Sequence, residues 1–262
     1  MKIAVVQMNL VARDVQQNIA HADALITANP GADLYVLPEM FSTGSDMEPD
    51  LVAEPLGGPS LQWMQRKAAE MGAAICGSVA TAVELFTFTN RLYFVTPDGK
   101  VTSYDKRHLF TYGGEAEHYT AGHDRVVATW KGVRFLLEVC YDLRFPVWSR
   151  YRGDYDAIIY VANWPVKRRS SWDVLLQARA AENQCYVVAA NRVGTDQLGC
   201  DYDGGSVIVH PYGHVLVCAR DREESVMITD IDMDKLCDYR SKFPALVDAD
   251  EFILKDATSN DN

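Results

Sequence analysis

Cys140 closes the apolar run Val133–Val139 and is followed at once by Tyr141, Asp142, Leu143, Arg144, Phe145 and Pro146. A thiol, an aromatic, an acid and an arginine at the end of such a run stand where an α/β strand delivers chemistry to a cleft. A thiol that attacks an acyl carbon needs help: a base for its proton, a cation or N–H donors for the oxyanion, and an acid for the leaving group. Three other residues fit those needs. Glu39 follows Leu37-Pro38 at the end of a second apolar run, Lys106 follows Tyr104-Asp105 and precedes Arg107-His108-Leu109, and Glu115 sits in a Gly-rich loop, Gly113-Gly114-Glu115, that ends at Gly122. Singly, each has a plainer explanation, as a solvated lysine, a loop glutamate or a packing thiol. The conjunction of Glu39, Lys106 and Cys140, each ending a strand and in that order, favours chemistry.

The elements that must position them can be read from hydrophobic periodicity. Residues 2–8 (KIAVVQM) form a buried strand, Val15–Ala28 an amphipathic helix, 32–37 (ADLYVL) a second strand and 60–71 a second helix. Strands at 73–80, 91–96 and 101–104 come next, the last two joined as a hairpin by Pro97-Asp98-Gly99, where Pro presets φ and Gly tolerates a positive one. The second half repeats the theme. A Lys131-Gly132 turn feeds Val133–Val139, a helix follows Pro146, and strand Ala157–Ala162, a helix over 170–183 and strand Tyr186–Asn191 succeed one another. Three more strands are expected at 206–209, 215–219 and 225–231. No Gly/Pro/Ser-rich linker separates the halves, so one domain over residues 1–256 is expected, built as two β-rich layers packed sheet on sheet with helices outside, and 257–262 reads as a polar tail.

Composition narrows the partners. The chain has 262 residues, 48% of them hydrophobic, and a net charge of −11, which provides a substantial core and no electrostatic footprint for nucleic acid or an anionic membrane. The six cysteines form no C-x-x-C pair and no His/Cys ligand spacing, so no metal site is indicated. Cys76, Cys185 and Cys218 lie in strand-like runs and read as core thiols. The opening MKIAVVQM turns polar too soon for a secretory signal, and no apolar run approaches the roughly 18 residues of a membrane span, so a reducing, cytoplasmic setting is expected.

The ordered set of a Pro-Glu, a Lys-x-His-Leu and a Cys-Tyr-Asp-x-Arg-Phe-Pro closely resembles the nitrilase superfamily of carbon-nitrogen hydrolases, from Ile3 to about Phe252. The resemblance implies a four-layer α-β-β-α sandwich and a Glu, Lys and Cys triad at Glu39, Lys106 and Cys140. It implies that Glu115, seven residues before Gly122, is the family's additional glutamate, with Glu117 as the fallback. Chemistry then supplies a scheme in which Glu39 deprotonates Cys140, Lys106 and the Tyr141 N–H hold the oxyanion, and Glu115 orients the substrate or Lys106. No cofactor is implied. Family members are usually homo-oligomers, so a homodimer or homotetramer is expected, with Pro146-Val147-Trp148 and Phe243-Pro244-Ala245-Leu246 as interface candidates.

Longer strings, Phe41-Ser42-Thr43-Gly44, Lys106 to Phe110, Tyr160 to Pro165 and Gln177-Ala178-Arg179-Ala180, resemble the omega-amidase branch. That branch implies a small-molecule substrate, the amide of a 2-oxo acid such as 2-oxoglutaramate or 2-oxosuccinamate, with Phe41, Tyr141 and Trp164 as substrate-binding candidates. A substrate carboxylate would want a cation, and Arg144, Lys167 and Arg168 are near in sequence, although Arg144 is expected to pair with Asp142 and brace the loop. Alternatives are an amidase for N-carbamyl or aliphatic amides, a nitrilase, or a non-catalytic binding protein on the same fold. Two departures bear on the site. Glu138 lies two residues before Cys140, on the same face of an extended strand, where it is expected to be paired. Ser45 and Gly204-Gly205 replace residue types that are more usual in relatives.

Overall fold

A computed structural model describes residues 1–254; the expected tail at 257–262 lies outside the described residues. In chain order the elements are β1 (Lys2–Gln7), α1 (Val15–Ala28), β2 (Leu34–Val36), α2 (Pro49–Val52), β3 (Glu54–Pro55), α3 (Pro59–Met71), β4 (Ala74–Glu84), β5 (Thr87–Val95) and β6 (Val101–Asp105). They continue as α4 (Glu115–His118), β7 (Val127–Trp130), β8 (Val133–Val139), α5 (Pro146–Ser149), β9 (Ala157–Ala162), α6 (Arg169–Glu182) and β10 (Tyr186–Asn191). The last are β11 (Val193–Thr195), β12 (Asp201–Asp203), β13 (Val207–Val209), β14 (Val215–Cys218), β15 (Ser225–Asp230) and α7 (Met233–Lys242).

These strands form two sheets, ordered β15-β1-β2-β4-β5-β6 with β3 added to β4, and β14-β13-β10-β9-β8-β7. At the centre of each sheet three strands run parallel: β1, β2 and β4 in one, β8, β9 and β10 in the other. Alternation assigns each side chain to a layer. Ile3, Val5, Leu34 and Val36 meet Phe135, Leu137, Ile159, Val161 and Val188 between the sheets. Ala4, Val6, Tyr35 and Ile75 point the other way, onto Ala22 and Ile26 of α1 and Trp63, Met64 and Ala68 of α3. Leu136, Ile158, Tyr160 and Val187 likewise point onto Trp172, Leu176 and Ala180 of α6. The expected α-β-β-α sandwich results. Strands covered on both faces are largely apolar on both, which is why these runs read as near-continuous rather than alternating.

Several local expectations shift. The turn after Pro146 is a single four-residue helix, α5. The 73–80 and 91–96 strands extend into a long hairpin, β4 and β5, because polar residues continue the backbone pairing past the apolar core. The periodicity does not anticipate α2, β3, α4, β7, β11 and β12, each of four residues or fewer, nor the weakly patterned α7. Cys76 and Cys185 are core thiols as expected, but Cys218 is exposed, since β14 is a sheet edge.

Candidate active site

Parallel central strands open their C-terminal ends on one side of the sandwich, and the candidate residues gather there. Glu39 follows β2, Lys106 follows β6, Glu115 begins α4, Cys140 follows β8 and Asn163 follows β9. All four candidates of the expected site line one cavity of about 360 Å³, together with Tyr141 and Trp164.

Lys106 is its hub. Its Nζ donates to Glu39 Oε1 at 3.0 Å and to Glu115 Oε1 and Oε2 at 3.0 and 2.8 Å, with all three side chains buried. Burial works against the ammonium, but Glu115 and Glu39 outweigh it and hold Lys106 well above the ordinary lysine value. Gly122 explains the spacing after Glu115: its N–H donates to the Lys106 carbonyl at 2.9 Å, and a Cβ there would meet the Asp105 carbonyl at 2.2 Å. Only glycine lets the loop approach so closely.

Glu39 is surrounded by donors. Asn90 Nδ2 donates to Oε1 at 2.8 Å and the Asn163 backbone N–H to Oε2 at 2.8 Å. Burial and then the Glu39 charge push the Cys140 thiol well above its usual value; Lys106 pulls the other way. The sulfur therefore rests as a thiol beside a carboxylate. Glu115 is anchored separately, with Oε2 accepting the Phe110 N–H at 2.6 Å.

Cys140 has φ +45°, a left-handed conformation rare for a residue with a side chain. That turn ends the strand alternation, so a spacing of two no longer fixes Cys140 on the face of Glu138. Glu138 is instead fully buried on the α6 side, where Ser149 Oγ donates to Oε2 at 2.9 Å and Oε1 has no hydrogen-bond partner among the described residues. The expected pairing is thus a hydrogen bond from a hydroxyl, not an ion pair. Burial, reinforced by the Asp142 charge, raises Glu138 to about 8.

Arg144 also departs from expectation. Asp142 accepts from Tyr104 Oη (2.7 Å), the Val139 N–H (2.9 Å) and the His108 N–H (2.9 Å), and its Oδ1 lies 2.8 Å from His108 Nδ1. Its acceptor sites are filled without Arg144, whose guanidinium stacks over Trp164 at 4.9 Å and lines the cavity. Arg168 lines it too, over Phe110 at 4.8 Å, whereas Lys167 does not. Phe41 lies outside the cavity: it is fully buried against Trp63, at 5.6 Å, because its position faces the α1/α3 layer. Ser45 lines the cavity and its Oγ accepts from Asn163 Nδ2 at 2.7 Å. Gly204 and Gly205 press instead against Gln7 and Arg169, away from it.

Asn90 escaped the sequence reading. Its signal was a polar residue at an inward position of β5, beside Leu92 and Phe94 on the same face.

Four layers with the thiol at the end of a central strand are the architecture of carbon-nitrogen hydrolases, and the chain belongs to that family: the family's carbon-nitrogen hydrolase model matches residues 2–241. It is therefore a hydrolase of carbon–nitrogen bonds. Within the family, it is 46% identical to omega-amidase YafV of Escherichia coli strain K12 over 255 residues, 97% of this chain and 98% of that one. It is 32% identical to the 2-oxoglutaramate amidase of Bacillus subtilis strain 168, covering 94% and 96%. A carbon-nitrogen hydrolase superfamily protein from Xanthomonas campestris, with an arsenic adduct in its active site, superposes with a TM-score of 0.93 at 41% identity over 97% of this chain and 99% of that one. No helix among the described residues is long and apolar enough to cross a membrane.

Proposed function

We propose that the protein is an amidase that hydrolyses the omega-amide of a 2-oxo acid, such as 2-oxoglutaramate or 2-oxosuccinamate, to the acid and ammonia. The observation that carries this is the buried Glu39–Lys106–Glu115 array against the Cys140 thiol, together with the likeness to two proteins named for such amides.

The chemistry follows from the charges. Glu39 takes the Cys140 proton as sulfur attacks the amide carbon, and the carbonyl π-bond becomes an oxyanion held by the Lys106 ammonium and the Tyr141 N–H. Collapse of the oxyanion breaks the C–N bond, and the proton on Glu39 goes to the leaving nitrogen, which departs as ammonia. Water then gives a proton to Glu39 and attacks the thioester, and the departing thiolate recovers that proton as the acid forms. Lys106 begins and ends cationic, neutralised by two carboxylates, so oxyanion charge appears where a cation already waits. Glu115 fixes Lys106 through two hydrogen bonds, while Tyr141 and Trp164 form cavity wall.

Six free cysteines fit a reducing cytoplasm, and exposed Val147 and Phe243 fit a homodimer or homotetramer through the α5 and C-terminal surfaces; Trp148, by contrast, is buried within the protomer. Light scattering of the purified chain decides the oligomer. The activity is tested by ammonia release from 2-oxoglutaramate, 2-oxosuccinamate, glutamine, an N-carbamyl amino acid and a nitrile, for wild type and Cys140→Ala. Turnover strongest on the 2-oxo amides and absent in Cys140→Ala is expected. Preference for the carbamyl compound or the nitrile, or full activity without the thiol, would sink the reading.

A further inference from the structure

We infer that Arg144 and Arg168 together form the anion-binding end of the pocket and select amides that carry a carboxylate without a neighbouring ammonium group. The inference rests on the amidase reading above and extends it to how the substrate is chosen.

Charge balance around the cavity leads there. Glu39 and Glu115 are taken up by Lys106. Asp46 and Glu48 are held by Arg13 at 2.6 and 3.0 Å. Asp196 accepts from Tyr202 Oη at 2.9 Å and from the Leu198 and Cys200 N–H groups. Arg144 and Arg168 are different: both line the cavity, and neither pairs with a carboxylate among the described residues. Each lies instead over an aromatic ring, Trp164 or Phe110, a contact that leaves guanidinium N–H donors to bind a ligand.

Those aromatics are tied to the reacting groups. Trp164 follows Asn163, whose N–H holds Glu39, and its Nε1 donates to the Arg168 carbonyl at 2.8 Å. Phe110 donates its own N–H to Glu115. Each cation is thus built onto an aromatic tied to the reactive cluster, and Trp164 links the two, carrying Arg144 on its face and bonding the Arg168 backbone. An amide bonded to sulfur at one end of a short chain would present its other end to them. Two rigid guanidiniums suit a planar, bidentate carboxylate. A 2-oxo oxygen beside that carboxylate is a further acceptor, whereas a 2-ammonium would put a third positive charge among them. Glutamine and asparagine would be rejected by repulsion, with the nearby carboxylates already engaged and unable to compensate.

The test measures ammonia release by wild type, Arg168→Gln, Arg168→Lys and the Arg144→Gln/Arg168→Gln double variant on 2-oxoglutaramate, glutamine and a neutral aliphatic amide of equal length. For Arg168→Gln, kcat/KM on 2-oxoglutaramate should fall on the order of 10- to 100-fold more than on the neutral amide, mainly through KM. Arg168→Lys should recover part of the loss, and the double variant should narrow the ratio between 2-oxoglutaramate and glutamine. Equal losses on all three amides, or an unchanged KM for 2-oxoglutaramate, would overturn the proposal. Wild type that cleaves the neutral amide but not 2-oxoglutaramate overturns it too, whereas wild type inert toward every amide removes the amidase reading itself.

Discussion

Asp142 Oδ1 lies 2.8 Å from the ring Nδ1 of His108, thirty-four positions away in the chain, and so ties the turn carrying Cys140 to the strand end carrying Lys106. The same carboxylate takes the Tyr104 hydroxyl and the Val139 N–H on its other oxygen. The Cys140 turn and the Lys106 strand end are thereby held in register by one carboxylate.

Asp142→Asn keeps the shape but turns one acceptor into a donor, leaving donors that face its amide unsatisfied. We expect a stability loss of about 2–4 kcal/mol in urea unfolding and a lower kcat. Unchanged stability would mean that the turn is held by other contacts.

Glu39→Gln removes the carboxylate beside the thiol while Asn90, Asn163 and Lys106 still surround the site. We expect kcat to fall by about 10²- to 10⁴-fold and alkylation of Cys140, followed by mass spectrometry of its peptide, to slow. Alkylation at the wild-type rate would show that Glu39 does not activate the sulfur.

Asn90→Ala deletes the amide that donates to both Glu39 at 2.8 Å and Glu115 at 3.3 Å. The carboxylates then lose a fixed donor, and we expect a drop of roughly 10-fold or more in kcat, with a stability cost of about 1–3 kcal/mol. A KM effect alone would instead place Asn90 in substrate binding.

Glu138 sets a pH dependence of folding. Its proton is held to about 8 in the folded chain against an ordinary value of 4.5, because burial disfavours the charge. Between those values the folded state binds a proton that the unfolded state has lost. Its stabilising contribution is full below about 4.5 and declines as pH rises to about 8, by at most ~1.4 kcal/mol per pH unit. Glu138→Gln should flatten urea-unfolding stability across that window. An unchanged slope would show that the carboxyl is not the titrating group.

How much of this was legible in the sequence depends on distance along the chain. Apolar runs such as Val133–Val139 and Tyr186–Asn191 identified central strands because both of their faces are covered, leaving few polar positions to blur the period. Glu39, Lys106 and Cys140 stood out as candidates because each follows a strand in a fixed order, and Glu115 through its spacing to Gly122. Asn90 was not, because a lone inward polar residue in a strand says nothing about which carboxylates it will meet. Phe41 and Arg144 were misjudged for a related reason: proximity in sequence to a reactive residue does not set the direction of a side chain. The φ of +45° at Cys140 ends the strand alternation there, and four donors already fill Asp142, so Arg144 is free to lie on Trp164. Sequence by itself determined the central strands and the family, since those follow from local pattern and residue type, and it supplied the candidate residues that the fold gathers in one cavity. Only the tertiary structure decided which charges are spent on one another and which remain to meet a ligand, because ion pairing is settled by distances between strand ends that the chain brings together from far apart.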